Sequence, residues 1–204
     1  MAEAYIIDAV RTAGGRRGGR LAGWHPADLG GEVLNALVDR TGIDPAAIED
    51  VIVGCVSQGG EQAFHIGRNV VLASKLPQSV PAVSIDRQCG SSQQAIQFAA
   101  QAVMSGTQDL VIAAGVESMT RVPMGSNVAL YAKAGVGEGP FSKRIQERFG
   151  VTGFSQFTGA EMIAKKYGFT RDELDRFALE SHRRAIAATE AGALVIAFVT
   201  MPFS

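Results

Sequence analysis

Apolar, β-branched runs alternate along this chain with segments of helical periodicity, and this alternation constrains the fold more than any other feature. Four such runs predict buried strands, at residues 5–10, 51–56, 81–86 and 110–115. The segments between them predict helices, at residues 26–42, 66–75 and 90–106. Strands and helices that alternate in this way form a mainly parallel sheet with crossover helices. The sequence therefore predicts an α/β fold.

The character of the chain changes after the fourth predicted strand. Residues 117–157 are rich in Gly, Ser and Pro and have weak periodicity, which predicts a long excursion away from the sheet. Helical patterning returns at residues 160–167. It continues after Thr170 and Glu173, which have the spacing of a capping box. We therefore predict three segments: an α/β domain at residues 1–118, a helical region at 119–192 and an apolar tail at 193–204.

Cys89 is the residue with the strongest indication of chemistry. It follows the third predicted strand and precedes the predicted helix at residues 90–106, which is rich in small residues. Its sulfur is therefore expected at a helix N-terminus, where the thiolate is favoured. This is the geometry of an activated nucleophile. The alternative is a buried structural cysteine, since cysteines are often fully buried. Cys55 lies within a predicted strand and is expected to be such a packed core thiol.

Composition excludes several classes of function. The formal net charge is −1 and there is no long basic block, so nucleic acid is not an expected partner. Two cysteines support neither a disulfide framework nor a zinc site, and we expect no metal. No apolar run is long enough to span a membrane, and the first residues lack a secretory pattern. We therefore expect a cytoplasmic location.

Several short motifs, in order and spacing, resemble the thiolases, a family of coenzyme-A-dependent acyltransferases. The matching pieces are Ala9-Val10-Arg11-Thr12, Asp86-Arg87-Gln88-Cys89-Gly90-Ser91, Ala113-Ala114-Gly115-Val116-Glu117-Ser118-Met119, Thr158-Gly159-Ala160-Glu161 and Arg171-Asp172-Glu173. The resemblance implies a thiolase-like fold. In that fold residues 1–118 correspond to the N-terminal α/β domain and residues 119–192 to part of a helical loop domain that covers the substrate. Residues 193–204 diverge from the family pattern.

The resemblance also implies the reaction. In thiolases a cysteine takes an acyl group from acyl-CoA or 3-ketoacyl-CoA and passes it to CoA or acetyl-CoA. By this resemblance Cys89 is the acylated nucleophile, and its backbone N–H helps to hold the thioester oxygen. Coenzyme A is then a co-substrate, and no cofactor is expected to be bound permanently. The residues that contact coenzyme A are not indicated by the sequence.

The acid and base of the family reaction are not evident in this sequence. Thiolases are about twice as long, and their second half carries a Gly-His-Pro histidine and a Cys-x-Gly cysteine that have no counterpart here. Of the three histidines, His25 is expected to cap a helix, His65 to lie near a dimer contact by resemblance, and His182 to be solvated.

Two hypotheses therefore stay open. The chain is part of an acyltransferase whose missing groups come from elsewhere, or it is an inactive truncated homologue that serves as an interaction or dimerisation module. Either way we expect a homo-oligomer or a complementary thiolase half as partner.

Overall fold

A sheet of three parallel strands lies at the centre of the fold. The computed structural model describes residues 3–192, and within them the strands are β1 (Asp50–Gly54), β2 (Ala82–Ile85) and β3 (Val111–Gly115). The order across the sheet is β2-β1-β3, and Val51 of β1 pairs with Ala82 on one side and Ile112 on the other. Strands β2 and β3 lie within predicted runs, and β1 begins one residue before the run predicted at 51–56. The predicted α/β fold with a parallel sheet is confirmed.

Helix α1 (Pro26–Thr41) precedes the first strand, α2 (Ile66–Leu72) connects β1 to β2, and α3 (Ser91–Met104) connects β2 to β3. Helix α1 begins at Pro26, where the fixed φ of proline suits the first helical position. It ends where Gly42 adopts a left-handed conformation with φ of 65°. Short 3-10 turns lie at Pro45–Ala47 and Gly60–Gln62. The helices therefore occur where the apolar periodicity predicts them, within a few residues at each end.

The two faces of the sheet pack against different helices. Val51 and Val53 belong to one buried apolar cluster that also contains Leu34 of α1 and Ile66 of α2. Successive side chains of a strand point to opposite faces, and Gly54, which is next in the alternation, lies against the first turn of α3. Full burial of a Val, Leu or Ile side chain contributes about 1.5–3 kcal/mol. This cluster therefore holds α1 and α2 on one face and leaves the other face to α3.

The strand predicted at residues 5–10 is absent from this structure, and that prediction is wrong. This stretch has no regular secondary structure, and the exposed fractions of Ile6 and Ile7 are 77% and 69%. An apolar, β-branched run shows only that a segment suits a sheet; a strand also needs a neighbouring edge with which to pair. Residues 5–10 lie outside the three-stranded sheet.

Helix α3 is less buried than its small-residue composition indicates. Ala95 is fully buried against the sheet, whereas Ile96, Phe98 and Met104 are 48%, 42% and 49% exposed. Small residues allow close packing on any face, but within residues 3–192 only the sheet face of α3 is fully covered.

A second compact unit begins at Tyr131, near the end of α4 (Ser126–Lys133). It contains α5 (Lys143–Phe149), α6 (Gln156–Tyr167) and α7 (Arg171–Glu190). The capping box predicted at Thr170 and Glu173 is present at the start of α7. The backbone N–H of Thr170, followed by its hydroxyl, lowers the pKa of Glu173 below its ordinary value. The boundary between the two compact units of the structure lies after Leu130. The functional domain boundary predicted at residue 118 stays a prediction.

Helices α4 and α5 lie in the stretch at 117–157 where the sequence predicts no helix. They have eight and seven residues, too short for apolar periodicity to register above the surrounding glycines. Phe154 packs edge-on against Phe141 and Phe149, with ring centroids 5.4 and 5.5 Å away. The excursion therefore contains local order. Across residues 3–192 none of the helices combines the length and apolarity needed to cross a bilayer. The apolar tail at 193–204 lies outside the described residues.

Candidate active site

Cys89 lies in the turn that joins β2 to α3, and its thiol is exposed. The strand ends at Ile85 and the helix begins at Ser91, so that only five residues make the connection. In a parallel sheet such connections lie at the carboxyl ends of the strands, which is where ligands bind in open α/β folds. The structure thus places the predicted nucleophile at the edge of the sheet where a substrate is expected.

The residue before Cys89 has an unusual backbone conformation. Gln88 has a φ of 49°, in the left-handed region that side-chain-bearing residues seldom adopt. Its N–H donates to the Asp86 carboxylate over 2.7 Å. Its carbonyl oxygen accepts from the Ser91 hydroxyl over 2.6 Å and from the Ser91 N–H over 3.0 Å. Hydrogen bonds therefore hold both the N–H and the carbonyl group of Gln88 in this turn.

The start of α3 rests directly on the sheet. Gly54 ends β1 and pairs with Gly115 of β3. A methyl group at Gly54 would lie 2.5 Å from the main-chain carbon of Ser91 and from the nitrogen of Ser92, and one at Gly115 would lie 2.8 Å from the Ser92 Cβ. Both contacts are shorter than van der Waals distance. Two adjacent glycines therefore let the main chain just after Cys89 approach the strands.

One polar pair continues this packing along α3. The Arg87 guanidinium donates to the side-chain oxygen of Gln94, which is buried. The Arg87 N–H donates in turn to the Ser91 hydroxyl over 2.9 Å. Arg87 therefore contacts both the first and the second turn of α3, and this ties the connection to the helix that follows it.

Cys55 is buried and makes a clear contrast with Cys89. It follows β1, is only 1% exposed and donates its N–H to the Ile85 carbonyl over 3.0 Å. Burial, followed by the nearby Glu117 carboxylate, raises the pKa of the Cys55 thiol to about 12. A thiol in these surroundings stays protonated at neutral pH and is a poor nucleophile. The prediction that Cys55 is a packed core thiol is confirmed.

Glu117 and Gln62 form a polar network that the sequence did not indicate. The Glu117 carboxylate accepts from the N–H groups of Val56 and Ser57 over 2.8 and 3.0 Å. Gln62 is fully buried, donates to the Ser57 carbonyl over 2.9 Å and accepts from the Ser118 N–H over 2.7 Å. The network joins the loops that follow β1 and β3. Because three of these four bonds span more than fifty residues of sequence, no local pattern could reveal the network.

The predicted placements of His25 and His182 are confirmed. His25 caps α1, and its Nδ1 accepts from the Ala27 N–H over 3.2 Å. Its Nε2 lies 3.9 Å from the Glu61 carboxylate, which forms an ion pair with Arg121. His182 is exposed on α7. His65 is exposed with a φ of 70°, and its role near a dimer contact stays a prediction.

Comparisons with known proteins agree with the observed fold. Residues 4–201 match the family described as the thiolase N-terminal domain. The chain is 52% identical over 193 residues to a steroid 3-ketoacyl-CoA thiolase, FadA6, of Mycobacterium tuberculosis. It is 39% identical over 194 residues to a 3-ketoacyl-CoA thiolase of Erwinia tasmaniensis, and 38% identical over 195 residues to one of Escherichia coli O1:K1.

These matches cover nearly all of this chain but only part of each relative. The shares are 94% of the chain and 47% of the relative for the first two proteins, and 95% and 48% for the third. The chain therefore spans about half the length of the curated relatives that it matches. With the family match extending from residue 4 to residue 201, the chain belongs to the thiolase family, through its N-terminal domain.

Proposed function

We propose that this chain supplies the nucleophile for thiolase-type acyl transfer between CoA thioesters. The observation that carries the proposal is the exposed Cys89 thiol at the start of α3, at the carboxyl edge of the parallel sheet. The relatives are named 3-ketoacyl-CoA thiolases, and we infer the same substrate class here, acyl-CoA and 3-ketoacyl-CoA. These substrates connect the protein to fatty acid and lipid metabolism, and we place it in the cytoplasm.

The proposed chemistry has two steps. In the first, the Cys89 Sγ attacks the 3-keto carbonyl of a 3-ketoacyl-CoA, a C–S bond to the enzyme forms, and the C–C bond to the acetyl-CoA portion breaks. The Cys89 thiol proton passes to a base, and acetyl-CoA leaves after it takes up a proton at carbon. In the second, the thiol of coenzyme A attacks the acyl-cysteine, which returns Cys89 and releases a shortened acyl-CoA. We assign the Cys89 N–H as one donor to the thioester oxygen.

The proton transfers require a general base within hydrogen-bond reach of the thiol. We propose that the base lies outside residues 3–192, on a complementary thiolase half that associates with this chain. The alternative partner is a second copy of this chain, with which it would form a homo-oligomer. Coenzyme A enters and leaves as a co-substrate in both versions.

Acetylation of the intact chain tests the nucleophile assignment. The chain is incubated with acetyl-CoA and with acetoacetyl-CoA, digested, and analysed by mass spectrometry for an acetyl group on the Cys89 peptide. We expect slow, single-site acetylation that Cys89→Ala abolishes and Cys55→Ala leaves unchanged. Acetylation at Cys55, or none anywhere after prolonged incubation, would contradict the proposal.

The alternative function is a non-catalytic interaction or dimerisation module. It is favoured by one observation, the exposed apolar side chains of α3, including Ile96 and Phe98. Contiguous apolar surface on soluble proteins often marks a contact with another protein. The acetylation experiment distinguishes the two functions. We expect no acetylation of Cys89 in a non-catalytic module, because such a module does not need a reactive thiol.

A further inference from the structure

We infer that Ser91 is a positioning residue for Cys89, and that it acts by holding Gln88 in its left-handed conformation. This inference rests on the proposed role of Cys89 as nucleophile. Ser91 is buried, with 5% of its surface exposed. Its hydroxyl accepts from the Arg87 N–H over 2.9 Å and donates to the Gln88 carbonyl over 2.6 Å. One small side chain thus joins the two residues that precede the thiol.

The two hydrogen bonds occupy the single donor and one acceptor site of the hydroxyl. Because Ser91 is buried, water has little access to replace these bonds if the hydroxyl is removed. The strained Gln88 then keeps only the contact of its N–H with Asp86 and the Ser91 N–H contact to its carbonyl. A side-chain-bearing residue in this backbone region persists only when its surroundings enforce it. The hydroxyl supplies a large part of that enforcement.

The geometry also shows why a change at Gln88 reaches the thiol. The helix end of the turn is fixed, because the main chain at Ser91 and Ser92 lies against Gly54. Relaxation of Gln88 to an ordinary negative φ must therefore turn the peptide that links it to Cys89. That peptide sets the direction of the Cys89 side chain relative to the start of α3. Ser91 acts through the backbone, without contacting the reacting atoms.

Alkylation of Cys89 by iodoacetamide in the full 204-residue chain tests this inference. The rate at Cys89 is measured by peptide mapping as a function of pH, and Cys55 in the same sample reports on folding, because it is protected by burial. For Ser91→Ala we expect a fall of about tenfold in the Cys89 rate, since small misplacements of a reacting group have effects of this order or larger. Ser92→Ala, which removes the exposed neighbouring hydroxyl, is the matched control and should leave the rate unchanged.

A second substitution separates positioning from a general structural role. Glycine adopts a positive φ without strain, so Gln88→Gly in the Ser91→Ala background should restore most of the lost rate. An unchanged rate in Ser91→Ala, or a loss that Gln88→Gly fails to restore while Cys55 stays protected, would overturn the inference. If Ser91→Ala does not fold, Asp86→Ala tests the same turn from its exposed end, and we expect a fall of several-fold that Asp86→Asn avoids. A Cys89 rate unchanged in Asp86→Ala would then count against the inference.

Acetylation measured in parallel distinguishes this inference from the proposed function. If the alkylation rates change as expected and acetyl-CoA never acylates Cys89, the proposed function fails and the positioning of the thiol stands. If Cys89 is acetylated and Ser91→Ala alters neither reaction, the proposed function stands and the positioning inference fails.

Discussion

Substitution of Gly54 by alanine offers the most direct test of how α3 is placed on the sheet. The new methyl group would lie 2.5 Å from the main-chain carbon of Ser91 and the nitrogen of Ser92, and 2.8 Å from the Ser91 oxygen. All three are main-chain atoms at the start of a helix, so no side-chain rotation can make room. The helix end must move by roughly an ångström, or the strand must, to restore ordinary contact distances near 3.5–4.0 Å.

The magnitude follows from two opposing effects. Overpacking of a tightly packed site costs about 1–3 kcal/mol. Replacement of glycine by alanine also restricts the unfolded chain, which stabilises the native state by about 0.4–1 kcal/mol. Because the clash involves main-chain atoms, we expect the upper part of the first range, and a net loss of about 2 kcal/mol in the free energy of unfolding. For a unit of this size that lowers Tm by roughly 6–10 °C.

Thermal unfolding followed by far-ultraviolet circular dichroism measures this loss, with two further glycine variants for comparison. Gly115→Ala would place a methyl group 2.8 Å from the Ser92 Cβ, which moves only with its main chain, so this variant should also lower the free energy of unfolding. Gly159→Ala in α6 has no neighbouring atom within 4 Å and should stabilise the chain by up to ~1 kcal/mol through helix propensity. A Gly54→Ala protein that unfolds at the wild-type temperature would refute the close approach of α3.

Four further predictions follow from the remaining features. The chain alone should show thiolysis of acetoacetyl-CoA slower than complete thiolases by roughly 10³ or more, because loss of a catalytic base has effects of this order; a turnover rate in the usual thiolase range would contradict this. Light scattering at micromolar concentration should show dimers or larger species, and a monodisperse monomer would contradict the expected association of exposed apolar surface. A hydrogen bond from Arg121 lowers the pKa of Glu61 below its ordinary value, so the stabilisation from this pair is present above that ordinary value and is lost as the pH falls through the lowered pKa. Urea denaturation should accordingly show that the free energy of unfolding falls less steeply with decreasing pH in Glu61→Gln than in the wild type. Equal slopes against pH would contradict a stabilising contribution from the ion pair. Thr170→Ala should reduce the stability of α7 by about 1 kcal/mol, seen as earlier loss of helicity on heating, whereas an unchanged melt would show that the cap contributes nothing.

The sequence predicts those parts of the fold that depend on local patterns. Apolar runs with β-branched residues coincide with the three strands, and α1 begins and ends at Pro26 and Gly42 as the capping signals indicate. The position of Cys89 between a strand and a helix follows from the same patterns. These predictions succeed because periodicity and capping act within a few residues of one another.

The features that fail or escape prediction depend on partners distant in sequence. Residues 5–10 have the composition of a strand but lie outside the sheet, and composition carries no information about a free edge. The left-handed Gln88 is held by the Ser91 hydroxyl, whose geometry a single sequence does not specify. Gly54 and Gly115 lie side by side beneath the start of α3 only because β1 and β3 pair, and a single sequence does not specify that pairing.

The two cysteines show how one end of the sheet can stabilise a fold and still present a nucleophile. Burial, followed by the neighbouring Glu117 carboxylate, raises the pKa of the Cys55 thiol and keeps it neutral and structural, while Glu117 accepts from the N–H groups of Val56 and Ser57. Glu117 therefore holds the loop after β1 to the loop after β3. We expect the proton acceptor for Cys89 to come from a group outside residues 3–192, on a complementary thiolase half.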